Sequence, residues 1–147
     1  MRSNKQASRM LRTNYYDFYQ QAYAASFMTI DVLLKSMENP LPAAEAAQVL
    51  HMTEENVKNI MSQENIALLD KDGLLALMRL GTSSLCRMFQ RELLYGAKPV
   101  YGPGDIARIY GLDEGHVREI SAKMGHSEWP SADVPELLKQ IPVFIVY

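Results

Sequence analysis

Three features are scarce in this sequence, and each scarcity excludes a class of protein. Its 147 residues include a single cysteine, Cys86, so the chain cannot form an internal disulfide or a thiolate metal cluster. No apolar run reaches the roughly 18 residues that span a bilayer, and no run of signal-peptide length follows Met1. The formal net charge is −2, which gives no overall attraction to nucleic acid. We therefore expect a cytoplasmic protein that does not enter a membrane.

Motifs for catalysis and cofactor binding are also missing. Residues 102–104, Gly-Pro-Gly, lack the further glycine and the lysine of a phosphate-binding loop. His116 and His126 show none of the standard spacings of metal ligands. Cys86 stands in an apolar stretch, which is typical of a small buried side chain rather than a nucleophile. We therefore expect no enzyme, no metal site and no cofactor.

The most informative feature is an internal repeat. When the sequence is shifted by 60 positions it matches itself in one register, with mostly apolar identities. The identical pairs are Met28 with Met88, Leu33 and Leu34 with Leu93 and Leu94, Ala47 with Ala107, Glu54 with Glu114, Val57 with Val117, Ile60 with Ile120, and Leu77 with Leu137. Helical periodicity alone can align two amphipathic stretches in this way, and that is the alternative. We predict two units, residues 15–80 and residues 81–140.

Each unit is predicted to contain a longer helix, two short helices around a tight turn, and a closing helix. Pro40 and Pro99 follow the longer helices and block their continuation. The predicted ranges are 15–37 and 84–95 for the longer helices, and 73–80 and 133–140 for the closing helices. The predicted fold is thus mainly α: two tandem units of about 60 residues, with at most short wing or C-terminal strands.

The second unit carries the clearer turn. Ala107 is small, as is needed where two helices cross closely. Gly111 is predicted to end the first short helix, because glycine adopts the left-handed conformation at little cost. Asp113 can cap the next helix through its carboxylate. Val117 and Ile120 then continue the apolar face.

These residues resemble the helix-turn-helix pattern, in tandem. The matching positions are Ala107, Gly111, Leu112, Val117 and Ile120 in the second unit, and Ala47, Met52, Val57 and Ile60 in the first, with Thr53 as cap. The first unit departs from the pattern at His51, where glycine is usual. Residues 40–50 are similar to the opening of excisionase and MerR-type winged modules, and the sequence at residues 70–73 could form the turn of a small wing.

The resemblance implies that the second short helix of each unit enters the DNA major groove. The DNA-binding residues it implies are Asn56, Lys58 and Asn59 in the first unit and His116 and Arg118 in the second. Residues 1–14 form a basic arm whose Arg9 and Arg12 are expected to contact phosphate or the minor groove. The alternative for this arm is a solvated, frayed terminus.

Acidic residues oppose DNA binding. Glu54, Glu55 and Glu114 begin the second short helices and would face the phosphates, whereas DNA affinity depends on Lys and Arg. Glutamate in a first helical turn also stabilises the helix dipole. The predicted function is a DNA-associated protein of transcription regulation. The alternative is a protein-interaction adaptor that has the same fold and does not bind DNA.

Aromatic residues crowd the stretch from 15 to 27 and form two helical stripes. One stripe would cover the two units, and the other is predicted to form a homodimer interface through Tyr16, Tyr19, Tyr23 and Phe27. Base stacking on these rings is disfavoured, because no Lys or Arg is interleaved with them. The apolar tail, residues 141–147, is predicted to dock on the fold or to pair as a strand with another chain. The partners expected are double-stranded DNA, a second copy, or another protein.

Overall fold

Helices make up most of the chain in the computed structural model, which describes residues 10–146. The N-terminal helix runs from residue 15 to residue 36 without a break. It comprises α1 (Tyr15–Tyr19), a π-helical turn (Gln20–Ala24) and α2 (Ala25–Ser36). The other helices are α3 (Ala43–Leu50), α4 (Glu54–Gln63), α5 (Lys71–Leu80), α6 (Ser84–Tyr95), α7 (Pro103–Tyr110), α8 (Glu114–Lys123) and α9 (Val134–Leu138). The prediction of a mainly α fold is confirmed.

Two small antiparallel sheets complete the described structure. Strand β1 (Met10–Asn14) pairs with β4 (Pro142–Val146), and β2 (Val100–Tyr101) pairs with β3 (Trp129–Pro130). The backbone N–H of Tyr15 donates to the carbonyl of Ile141 at 2.8 Å and extends the first sheet into the helix. The apolar tail therefore docks within its own chain, which is the first of its two predicted outcomes.

The same turn joins the short helices in both units. Helices α3 and α4 recur as α7 and α8 with every bound shifted by 60 residues. The residue that follows the first helix is left-handed in both cases, with φ of 59° at His51 and 67° at Gly111. The N–H of Met52 donates to the carbonyl of Ala47 at 2.8 Å, and the equivalent bond in the second unit is 2.9 Å long. Histidine thus adopts the conformation that glycine provides in the second unit.

A side chain caps the second short helix in each unit. The Thr53 hydroxyl accepts a hydrogen bond from the Asn56 N–H at 3.1 Å, and the Asp113 carboxylate accepts one from the His116 N–H at 2.8 Å. Each bond satisfies an N–H that has no partner within its helix. The predicted caps are confirmed at both positions.

A backbone bridge lies at the same place in each unit. Tyr101 pairs with Trp129 between β2 and β3. Sixty residues earlier, the Leu41 N–H donates to the Leu69 carbonyl at 2.9 Å. The two units therefore agree in a long-range contact as well as in helix bounds, which amphipathic periodicity alone would not produce.

The predicted wing turn at residues 70–73 is wrong. Asp70 lies at the N-cap of α5, and its carboxylate accepts a hydrogen bond from the Gly73 N–H at 2.9 Å. The segment thus begins a helix instead of reversing a hairpin. Aspartate is common both in turns and at helix N-caps, so it does not distinguish the two structures. The apolar residues that follow favour the helix, in which Leu74 and Leu77 are buried.

One apolar core forms around each pair of short helices. Leu50, Val57, Leu74 and Leu77 are fully buried in the first, which also contains Cys86 of α6, a small buried side chain as predicted. The second core is built from Ile106, Val117, Trp129, Leu137 and their neighbours. The repeat pairs Val57 with Val117 and Leu77 with Leu137 are buried in both copies, whereas Met28 is 70% exposed and its partner Met88 is buried.

Replacing Gly111 by alanine isolates the cost of the left-handed turn. A methyl group there would meet Arg91 only at an ordinary contact distance of 3.6 Å, so its effect would come from the positive φ. We expect Gly111→Ala to lower the free energy of unfolding in urea by about 1 kcal/mol.

Gly115→Ala is the matched control, because Gly115 lies inside α8 with ordinary helical geometry. This variant should raise the free energy of unfolding by about 0.5–1 kcal/mol, since alanine favours the helix. Equal losses in the two variants would contradict the conformational explanation.

Candidate nucleic-acid interface

The residues predicted to contact DNA are exposed on equivalent faces of α4 and α8. In the first two turns of each helix one side chain is fully buried, Val57 or Val117. Ile60 and Ile120 pack against the two cores and are partly buried, and the other side chains of these turns are exposed. The exposed set comprises Asn56, Lys58 and Asn59 on α4 and His116 and Arg118 on α8. The structure therefore presents these five predicted residues to solvent on two repeated helices.

Both cations in this set are held by an acid one turn earlier. Lys58 Nζ lies 2.9 Å from Glu54 Oε2. Arg118 Nη2 lies 2.6 Å from Glu114 Oε2, and Arg118 Nε donates to the same oxygen at 2.9 Å. The Lys58 and Arg118 side chains are 64% and 59% exposed, and such exposed helical pairs contribute only about 0.3–0.5 kcal/mol.

The charges on these faces nearly cancel. On α8 a second ion pair joins Lys123 to Glu119 at 3.2 Å. On α4, Glu54 and Glu55 outnumber the one cation, Lys58. Neither helix therefore creates a positive potential of the kind that draws proteins to DNA.

Arg9 and Arg12, the two arginines predicted to contact DNA from the N-terminal arm, do not lie on α4 or α8. Arg12 is exposed on β1, opposite Phe144 of β4. Residues 10–14 of the predicted arm thus belong to a sheet. Arg9 lies outside the described residues.

The aromatic residues predicted to form a dimer interface pack within this chain. Tyr16 and Tyr19 contact the second core, and Tyr23 and Phe27 contact the first; all four are partly buried. The N-terminal helix therefore bridges the two cores. A homodimer through these side chains stays a prediction. The large apolar residues most exposed on this helix are Met28 (70%) and Val32 (63%).

Two polar contacts of α6 were missed by sequence reasoning. Arg91 Nε donates to the carbonyl of Ile109 at 2.9 Å, and so binds the end of α7 from α6. The Tyr19 hydroxyl donates to Glu92 Oε1 at 2.6 Å. The sequence shows Arg91 only as one of several cations near α6, and no local signal indicates its partner.

Glu92 is a half-buried carboxyl beside a cavity. Burial raises the pKa of Glu92, while the hydrogen bond from Tyr19 and the charge of Arg91 oppose this rise. Burial also raises the pKa of Tyr19 and, to about 12, that of Tyr110. The cavity has a volume of about 320 Å³ and lies between α6, α7 and the turn before α9.

Other kinds of site find no support in the part of the chain that the structure describes. No group of three His, Cys, Asp or Glu side chains is placed to hold a metal ion among residues 10–146. Over the same residues, no helix combines the length and apolar character needed to cross a membrane. No family model matches the sequence, and comparisons with curated proteins and with solved structures find no match.

The raised pKa of Glu92 predicts a specific dependence of stability on pH. Because the folded state holds this proton more tightly than the unfolded chain, Glu92 contributes stability below its ordinary pKa of 4.5 and loses it as pH rises through the folded value. Relative to Glu92→Gln, the native protein should therefore lose stability as pH increases above 4.5.

Urea unfolding of both proteins between acid and neutral pH measures this difference. Glu38→Gln, at an exposed position, is the control and should follow the native protein. A constant difference between the native protein and Glu92→Gln across the pH range would contradict the role assigned to burial.

Proposed function

We propose that the protein is a DNA-associated regulatory protein with two tandem helix-turn-helix units, which present α4 and α8 to the major groove. One observation carries this proposal. A left-handed residue, a backbone bond of 2.8–2.9 Å across the turn and a capped second helix occur twice, 60 residues apart. In helix-turn-helix proteins the first residues of that second helix contact base edges.

The side chains on these helices suit groove contacts. The amides of Asn56 and Asn59 can form paired hydrogen bonds with adenine. Lys58 and Arg118 can bind guanine or phosphate. All four side chains are exposed, so a duplex could reach them without unfolding either unit.

The ion pairs of Lys58 and Arg118 are weak enough to exchange. Breaking each exposed pair costs about 0.3–0.5 kcal/mol, whereas a phosphate contact also releases a counterion. Binding on this basis would be sensitive to salt.

The second candidate function is a protein-interaction adaptor that has the same fold. The position of Glu54 and Glu114 favours it, since each lies beside the cation that DNA would need. A partner protein with a mixed or basic surface would tolerate these acids, whereas a duplex would repel them.

Removing the two cations tests the DNA proposal directly. We expect Lys58→Ala with Arg118→Ala to weaken binding to random-sequence duplex at least about tenfold at low salt. The slope of log affinity against log salt should fall by roughly 2, because two phosphate contacts are lost. Fluorescence anisotropy at several salt concentrations measures both quantities.

The matched control removes one lysine and one arginine elsewhere. Lys35 forms an equivalent exposed pair with Asp31 on α2, and Arg87 is exposed on α6. Lys35→Ala with Arg87→Ala should leave affinity nearly unchanged. Loss of binding in both double variants would indicate a general effect of charge. No binding of the native protein at low salt would remove the DNA proposal.

Neutralising the two acids separates the candidate functions. If α4 and α8 face DNA, Glu54→Gln with Glu114→Gln should raise duplex affinity by roughly two- to tenfold at low salt, because like-charge repulsion is removed. Glu38→Gln with Glu136→Gln changes the net charge equally and should have a smaller effect. Equal gains from both pairs would contradict contact through α4 and α8.

A further inference from the structure

A cavity lies in the second unit, apart from the exposed faces of α4 and α8. It opens to solvent and is lined by the last turns of α6, by α7 and by the turn before α9. Its volume of about 320 Å³ is at the small end of the range of ligand pockets in proteins. A ligand of this size would be a small organic molecule.

Glu92 lines this cavity, and the charge of Arg91 acts on it from beyond ion-pair distance. Its Oε1 accepts one hydrogen bond, from Tyr19. The ion pairs within 4.0 Å between described residues do not include Glu92. The adjacent guanidinium of Arg91 instead contacts the Ile109 carbonyl at 2.9 Å and Met88 Sδ at 3.5 Å. A half-buried carboxylate without a counter-ion is costly, and a bound cation would offset that cost.

Tyrosine and aliphatic residues line the rest of the wall. Tyr101 and Tyr110 are half-buried, whereas Ile106, Ile109 and Val134 are almost fully buried beneath the accessible surface. Aromatic rings attract cations as well as apolar groups.

We propose that this cavity binds a small amphipathic ammonium ion, with the Glu92 carboxylate as its counter-ion. The charged nitrogen lies at Glu92, and the apolar body lies against the half-buried Tyr101 and Tyr110. A ligand with a carboxylate or phosphate in the same place is repelled. This proposal does not depend on DNA binding, since none of the residues involved lies on α4 or α8.

Three compounds of similar size and different charge test the proposal on the full chain at neutral pH. They are 2-phenylethylammonium, neutral 2-phenylethanol and anionic 3-phenylpropionate. By calorimetry the ammonium ion should bind at least about tenfold more tightly than the alcohol, and the carboxylate should not bind. Equal binding of ammonium and alcohol, or no saturation by the ammonium ion up to roughly 10 mM, would overturn the proposal.

Glu92→Gln removes the charge and keeps the shape of the side chain. It should weaken binding of the ammonium ion about tenfold and leave that of the alcohol unchanged. Glu136→Gln, at an exposed position on α9, should change neither. Unchanged ammonium affinity in a folded Glu92→Gln protein would overturn the proposal.

Methyl NMR of the native protein locates the bound compound without any substitution. The ammonium ion should shift the methyl signals of Ile106 and Ile109 and leave those of Ile30 and Ile60, in the first core, in place. If Glu92→Gln fails to fold, this map and the three compounds decide the outcome. Shifts confined to other methyl groups would overturn the proposal.

Discussion

The whole fold depends on one left-handed residue between two short helices, used twice. That residue lets the Met52 N–H reach back to the Ala47 carbonyl, and the turn brings α4 against α3. Ala47 and Val57 are both buried in the core of the first unit. In the second unit glycine occupies the turn at no steric cost, whereas histidine in the first is strained by about 1–2 kcal/mol. The histidine side chain makes a hydrogen bond that glycine could not make, because its Nε2 lies 3.2 Å from Ser26 Oγ on the N-terminal helix.

The two units become one structure through the helix of residues 15–36 and through α6. Tyr15 and Tyr19 contact Tyr110 of the second unit, while Tyr23 and Phe27 reach the core of the first. The π-helical turn (Gln20–Ala24) follows Tyr19 directly and contains Tyr23. A π turn holds more residues than an α turn, so the side chains after it point in a different direction around the helix axis. One continuous helix can then contact both cores. The hydrogen bond from Tyr19 to Glu92 then ties this helix to α6.

Local signals in the sequence predicted local structure well. The bounds of α6 were predicted as residues 84–95, before the proline at Pro99, and the capping roles of Thr53 and Asp113 were predicted from a few neighbouring residues. The repeat predicted equivalent buried positions at Val57 and Val117, but not at Met28 and Met88. Long-range partners could not be predicted in this way. Periodicity showed that the N-terminal helix has two apolar faces, but not which residues pack within the chain. The contact of Arg91 follows from the packing of α6 on α7, and that of Glu92 from the packing of the N-terminal helix on α6.

The surface of α4 and α8 reflects two competing requirements. A helix N-terminus is stabilised by acids, whereas a groove-binding helix needs cations there. In each of the pairs Glu54–Lys58 and Glu114–Arg118, the acid stabilises the helix N-terminus and the cation is exposed for binding. The pairs therefore fit a folding role as well as a binding role. Asn56, Asn59 and His116 are different, since within residues 10–146 their own side chains make no hydrogen bond and only the backbone N–H groups of Asn56 and His116 are bound by caps. Exposed amides and an imidazole beside exchangeable cations suit a ligand rich in donors and acceptors, such as base edges, and on this ground we place DNA ahead of a protein partner.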